Sequence, residues 1–245
     1  MHRFRFNPAD VSDDNVVVLS KEESRHALRV LRLKPGSVVE LLDGKDKKFR
    51  GVVVSESAGL VSVSIDQNPV SNQTNVPEII LAQAVIKPER MELLIQKACE
   101  LGVAKIVPIL AERSVVKLSR ERWHDKLARW NKIALESCKQ CGRARVPEVL
   151  VPVRFAEFAK TVSPKDLFLF PTLAVAGKPL QSVLRKGSQK VVLAIGPEGD
   201  FTPEETQAAI THGAVPVSLG EAVLRSETAA LYLISVAFFM GSESA

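Results

Sequence analysis

Leu193-Ala194-Ile195-Gly196-Pro197-Glu198-Gly199-Asp200-Phe201-Thr202-Pro203-Glu204-Glu205 reads as the end of a buried strand, a forced turn and the start of a helix. The run Val191 to Ile195 is apolar at every position, as in a strand covered on both faces. Two glycines and a proline then impose a tight turn. Thr202 as cap, Pro203 at the first helical position and Glu205 three residues after the cap compose a capping box, so a helix runs from Pro203 to His212. A strand that turns directly into a helix is the building unit of a parallel α/β domain.

The same unit recurs on either side. Upstream, strands at Ile79 to Ile86, Ile106 to Leu110 and Leu167 to Phe170 alternate with helices at Pro88 to Leu101, Arg120 to Cys138 and near Pro179 to Arg185. Downstream, Val215 to Leu219 is followed by a last helix reaching Met240. This alternation predicts an α/β fold with a mainly parallel sheet and helices on both faces. From Ala229 to Met240 the last helix has almost no polar face, so it requires burial all round, against its own sheet or a second subunit.

The first 70 residues follow another pattern. Short β-type runs at Val16 to Leu19, Ser37 to Leu42, Phe49 to Ser55 and Leu60 to Ile65 are separated by Pro35-Gly36, Asp43-Gly44 and Ala58-Gly59. One helical stretch, Lys21 to Leu33, sets the apolar Ala27, Leu28, Val30 and Leu31 against the basic Arg25, His26, Arg29 and Arg32. These features describe a small, barrel-like β module. The polar, proline-containing segment Gln67 to Pro77 reads as a linker, which places domains at residues 1–72 and 73–245.

Composition narrows the function. The 245 residues are 46% apolar and 25% charged, with no run of 18 apolar residues and no signal-like N-terminus, so a membrane span and a secretory leader are not expected. Three cysteines make no disulfide framework, and the chain reads as cytoplasmic. Cys138-Lys139-Gln140-Cys141 has no second pair to complete a zinc site, and His2, His26, His124 and His212 show no metal or triad spacing, so no metal is expected. Neither GxxxxGK[ST] nor GxGxxG occurs. The net charge of +5 is uneven: residues 73–160 carry 16 basic and 10 acidic side chains, residues 161–245 carry 6 and 8. A basic middle suits a polyanion, or else an ordinary solvated helix surface; the acidic C-terminal third suits a neutral or cationic ligand.

Three turns would meet at the carboxyl ends of neighbouring strands, where open parallel sheets bind ligands. They are Phe168 to Leu173, the turn quoted first, and Ser218 to Ala229. Glu198 and Asp200 would repel a phosphate at the helix N-terminus. They suit a ligand with hydroxyl, amine or positive groups, such as S-adenosylmethionine, or alternatively serve only as an acidic helix cap.

The stretches IGPEGDFTPEE and SLGEAVLRSETA, with KPERMELLIQKACELGV and ERWHDKLARWNKIALESCKQCGRARVPEV upstream, resemble the bacterial ribosomal RNA small-subunit methyltransferase E family of the SPOUT superfamily. MHRFRF and SRHALRVLRLKPGSVVELLDG are similar to its N-terminal PUA-like barrel. The resemblance implies a C-terminal trefoil-knotted domain, a homodimer with its active site at the subunit interface, S-adenosylmethionine as cofactor, and methylation of N3 of a uridine in 16S ribosomal RNA. It implies a methyl-donor pocket of Thr172, Leu173, Ile195, Gly196, Pro197, Glu198, Gly199, Leu219, Gly220, Leu224 and Thr228, with Arg225 facing the substrate. Two positions depart from the family: Asp200 stands where glycine is usual, and Ala222 where a basic residue is frequent.

Uracil N3 must lose its proton before it can accept a methyl group. Arg225 stays protonated, so its expected role is to hold charge developing on O2 or O4. Glu227 and Glu198 are the carboxylates near that loop able to take the proton. Arg3, Arg5, Arg25, His26, Arg29 and Arg32, with Arg113, Lys117, Arg120, Arg122, Lys126, Arg129, Arg143 and Arg145, are the expected contacts to RNA phosphates. The partner is then ribosomal RNA or the small subunit; the alternatives are an inactive RNA-binding assembly factor and a related enzyme acting on another RNA.

Overall fold

Alternating apolar positions in the first seventy residues become one sheet. The computed structural model describes residues 1–70, 76–114, 120–184 and 189–242. Part of the expected linker, Lys117 and the expected helix end at Arg185 lie outside the described residues. The chain divides into two compact units, residues 1–73 with 136–146, and residues 74–135 with 147–245. Residues 136–146 thus belong with the N-terminal unit, whereas the sequence reading puts them in the second domain.

In the first unit, β1 (His2–Arg5), β2 (Val16–Val18), β3 (Val38–Leu42), β4 (Lys48–Ser57) and β5 (Leu60–Ile65) lie in the order β1-β3-β4-β5-β2. β1 runs parallel to β3 and the other pairs are antiparallel. Phe4, Val17, Val39, Leu41, Val53, Val61 and Val63 point to one core, the inward half of a period of two. Ser20 caps α1 (Lys21–Arg25) by accepting from the Glu23 amide. The chain then widens into a π turn over His26–Val30 instead of continuing the regular helix expected to Leu33. Ala27 stays in the core, and Arg25, Arg29 and Arg32 remain exposed.

The second unit is built from β6 (Glu78–Ala84), α2 (Pro88–Glu100), β7 (Lys105–Leu110), α3 (Arg120–Cys141, whose part from Glu136 onward belongs to the first unit), β8 (Glu148–Val149), β9 (Val153–Arg154), α4 (Phe155–Thr161), β10 (Leu167–Pro171), β11 (Lys178–Pro179), α5 (Leu180–Val183), β12 (Lys190–Ile195), α6 (Pro203–Thr211), β13 (Val215–Ser218) and α7 (Ser226–Ser242). The sheet order is β11-β13-β10-β12-β6-β7-β8, with β9 also on β7, and each pairing is parallel. The strands β13, β10 and β12 are neighbours, so the loops that follow them leave the same end of the sheet side by side. Phe201, just before α6, stacks on Phe155 at 4.2 Å and lies 5.0 Å from Phe170. The aromatic cluster fixes where that loop meets the core.

α7 packs on α2, β6 and β12 through buried Ala230, Leu233, Ile234 and Ala237. Its opposite side leaves Tyr232 44% and Phe239 59% exposed, so the burial its sequence asks for is incomplete within one chain. Among the described residues no helix is long and apolar enough to cross a membrane, and no group of three His, Cys, Asp or Glu could hold a metal.

The end of α3 is held inside the first unit. Gly142, at φ +81°, terminates the helix, and the Arg3 guanidinium lies so close that a Cβ there would meet it at 2.8 Å. Arg3 Nη1 donates to the carbonyls of Lys139 and Gln140, and Nε pairs with Glu40 at 2.7 Å. A cation on the free carbonyls of a helix C-terminus is favourable. Lys139 Nζ pairs with the buried Glu23 at 3.0 Å and with Glu136 at 3.1 Å. Burial opposes the Lys139 charge, but the two carboxylates outweigh it and hold the ammonium above its ordinary range.

Candidate functional site

The loops after β10, β12 and β13 enclose a cavity of about 460 Å³, a size suited to a cofactor-like molecule. Thr172, Leu173, Ile195, Gly196, Pro197, Glu198, Leu219, Gly220, Leu224 and Arg225 line it, as do Asp200 and Ala222. Gly199 lies in the same turn but outside that lining, and Thr228 borders a shallow apolar groove with Leu231, Tyr232 and Phe239. A second cavity of about 350 Å³ lies toward the amino ends of the strands, beside Lys105 and Lys190, and holds none of these loop residues. Ligand sites of parallel sheets belong to the carboxyl ends, which favours the first cavity.

The turn after β12 is shaped by close approach. A Cβ on Gly196 would meet the Phe201 ring at 3.1 Å. Thr202 and Glu205 close the capping box, and Glu205 Oε1 also accepts from the Glu112 amide at 3.0 Å. Arg113, expected on RNA, donates Nη1 to the carbonyls of Gly199 at 2.9 Å and Phe201 at 3.4 Å. Asp200 adopts φ +58°, the left-handed region that glycine would occupy. Its own backbone amide and the Thr202 hydroxyl hold the exposed Glu204 carboxyl below its ordinary value.

A buried polar chain joins three elements under the cavity. Gln83 Nε2, at the end of β6, donates to the Ala84 carbonyl at 2.9 Å and to Ser226 Oγ at 2.8 Å. Ser226 Oγ donates to the Gly196 carbonyl at 2.6 Å. Sequence reading missed both residues; the available signal was a glutamine inside the apolar run Ile79 to Ile86.

Arg90, in the first turn of α2, was also missed. Its guanidinium lies 3.4 Å from Glu198 and 3.7 Å from Glu227, so it brings together the two expected proton acceptors. Glu227 is mostly buried, and its Oε2 has no hydrogen-bond partner among the described residues. The Arg225 side chain is exposed at the cavity rim and makes no hydrogen bond or ion pair with a described residue. An unpaired cation at the cavity rim and a partly satisfied, mostly buried carboxylate outside the lining thus stand two residues apart where α7 begins.

Of the other expected RNA contacts, Arg5 and Arg145 flank Gly44. A Cβ there would meet the Arg5 guanidinium at 3.1 Å, and Gly44 bridges to Arg145. Arg5, Arg25, Arg29, Arg32 and Arg145 are exposed, and His26 is half-buried against Phe4. Arg143 is half-buried. Arg129 pairs with Glu92 at 2.6 Å.

An RNA methyltransferase domain model matches residues 72–238, and an RNA methyltransferase PUA domain model matches residues 19–66. The chain is 30% identical to the ribosomal RNA small subunit methyltransferase E of Bacillus subtilis, covering 89% of this chain and 87% of that protein. It is 33% identical to the enzyme of the same name from Synechocystis, covering 87% and 69%. Among solved structures, the Neisseria gonorrhoeae ribosomal RNA small subunit methyltransferase E bound to S-adenosylmethionine superposes with a TM-score of 0.88 at 32% identity over all of both chains. A methyltransferase from Legionella pneumophila with bound S-adenosylmethionine gives 0.85 at 35%, over 96% of each.

Proposed function

Because the chain belongs to the ribosomal RNA small subunit methyltransferase E family, with the SPOUT-type α/β domain and N-terminal PUA domain of that family, we propose that it methylates N3 of a uridine in 16S ribosomal RNA, as a cytoplasmic homodimer. It is an S-adenosylmethionine-dependent ribosomal RNA methyltransferase. The observation that carries the reading of the site is the convergence of three strand-end loops on one cavity with an unpaired Arg225 at its mouth.

The cavity fits the donor. Leu173, Ile195, Leu219 and Leu224 supply apolar walls, loop amides and carbonyls supply polar partners, and Glu198 supplies a negative edge for a cation. When bound, S-adenosylmethionine supplies a methyl group already activated by its sulfonium, so alignment accounts for much of the rate. Arg225 provides a fixed donor fork for the charge that uracil O2 or O4 gains as N3 loses its proton. Glu198 and Glu227 are the two carboxylates that could take the proton: Glu198 lines the cavity, and Glu227 has one buried oxygen with no partner among the described residues. Arg90 Nε lies 3.7 Å from the other Glu227 oxygen and orients the carboxylate.

The exposed Tyr232 and Phe239 on α7, with the half-buried Leu231 and Val236 beside them, support the dimer. The exposed arginines of the first unit support contact with RNA phosphates. The left-handed Asp200 backbone, the conformation a glycine would supply, weighs against reading the departure at that position as the mark of an inactive RNA-binding factor.

The test is Arg225→Ala, assayed by mass spectrometry of nucleosides from small subunits treated with donor. Transfer is expected to fall at least about 100-fold, the scale of a lost oxyanion donor, while S-adenosylhomocysteine still binds in calorimetry. Near-wild-type turnover would overturn the assignment of Arg225, and a methyl group at another atom would overturn the N3 reading.

A further inference from the structure

Loops that form a cofactor pocket have little packing of their own, and ordering them on binding lowers affinity. One carboxylate in this chain does that ordering in advance. Asp200 Oδ2 accepts from Thr172 Oγ1 and from the Leu173 amide, both at 2.8 Å, and Oδ1 accepts from the Phe201 amide at 2.8 Å. The Asp200 amide donates to the Pro197 carbonyl at 3.0 Å, closing the turn. A single side chain thus ties the loop after β10 to the loop after β12.

Both ends of the tie are anchored. On one side, Phe201 is buried in the aromatic cluster with Phe155 and Phe170, and Arg113 grips the Gly199 and Phe201 carbonyls from outside. On the other, Thr172 Oγ1 accepts from the Ala174 amide at 3.1 Å, which passes the constraint along the loop. The Leu173 side chain is 72% exposed, so core packing does not hold this segment in place. A glycine at 200 would supply the same φ and none of these bonds. Charge-assisted bonds to a carboxylate are about twice as strong as neutral ones.

We propose that Asp200 is a positioning residue that pre-assembles the methyl-donor pocket by clasping the β10 loop to the β12 loop. The proposal rests on the reading of this cavity as the S-adenosylmethionine site. Asp200 itself is committed to protein donors and acts through the Thr172 hydroxyl and the Leu173 amide.

Asp200→Gly keeps the left-handed backbone and removes only the clasp, so the fold survives the test. S-adenosylhomocysteine affinity is expected to fall by about tenfold in calorimetry, on the scale of one or two hydrogen bonds removed. KM for the donor rises in parallel on small subunits, with the loss in KM exceeding that in kcat. Asp200→Asn, which tolerates the same φ and keeps one acceptor oxygen, restores part of the affinity. Thr172→Val weakens binding alone and adds little on top of Asp200→Gly, since both remove the same tie. Asp200→Gly binding within twofold of wild type, or full additivity with Thr172→Val, overturns the clasp. If the wild-type chain itself binds no S-adenosylhomocysteine at millimolar concentration, the cofactor reading fails first.

Discussion

Ser226 is where the stability of the second unit and the shape of its cavity depend on one hydroxyl. It is 6% exposed, accepts from Gln83 Nε2 at 2.8 Å and donates to the Gly196 carbonyl at 2.6 Å. Ser226→Ala removes two hydrogen bonds and leaves a carbonyl and an N–H of Gln83 buried without that partner. At about 1 kcal/mol net per bond, plus part of the cost of stranding buried groups, the loss is about 2–3 kcal/mol. For a unit of this size that lowers the thermal midpoint by roughly 4–12 °C. Because the Gly196 carbonyl lies in the cavity wall and Ser226 opens α7, S-adenosylhomocysteine binding should weaken as well. Ser226→Thr keeps the hydroxyl and should recover both properties. Gln83→Met in the Ser226→Ala background removes the stranded amide, so the double variant should be less destabilised than the two single losses added together. Scanning calorimetry with and without S-adenosylhomocysteine reads wild type, the three single variants and the double variant. A Ser226→Ala midpoint within about 1 °C of wild type, less than 1 kcal/mol by the same conversion, would refute the idea that this chain of bonds couples β6, β12 and α7.

Other outcomes follow from equally specific geometry. Gly177→Ala would place a Cβ 2.4 Å from the Val217 carbonyl carbon and 2.5 Å from the Ser218 amide, both backbone, so β11 must lift from β13; hydrogen exchange should show β11 unprotected and the cavity rim loosened. Glu23→Gln leaves the Lys139 ammonium buried without its main partner, a loss of about 3 kcal/mol by urea unfolding. Since the folded Lys139 pKa is raised, the stability gap between wild type and Glu23→Gln is fully present below the unfolded lysine value of about 10.4 and shrinks as pH rises through the higher folded value. Arg5→Ala and Arg145→Ala should each reduce the salt dependence of RNA binding, by about 0.7–0.9 in the log–log slope for each phosphate left without its cation. Arg3→Ala should instead lower stability and leave that slope nearly unchanged, because its guanidinium is engaged by Glu40 and the end of α3.

What could be read in the chain before folding was whatever is written locally. Thr202, Pro203 and Glu205 announce a helix start within a few residues, and the structure has that capping box. The β1, β8, β9 and β11 strands escaped because two to four residues carry little period, and their identity comes from partners far along the chain. The loops that line the cavity were legible, because their glycines, prolines and acids are contiguous in sequence. Its supports were not: Gln83 meets Ser226 across 143 positions, and no local pattern marks that pairing. Arg90 left a faint mark, a cation in the first turn of a helix where the dipole disfavours it. A charge count treats Arg3, Arg113 and Arg145 alike, although the first two are engaged by carbonyls of their own chain.

Asp200 shows the limit most sharply. As a departure from glycine it reads as a threat to the loop, because composition alone cannot separate the two demands made at that position. One demand is on the backbone, φ near +58°, which aspartate is among the few non-glycine residues to meet. The other is on the side chain, and a glycine leaves it empty. Once the first demand is met, the carboxylate is free to reach Thr172 and Leu173, so the substitution that looked like a loss of geometry adds a restraint to the pocket.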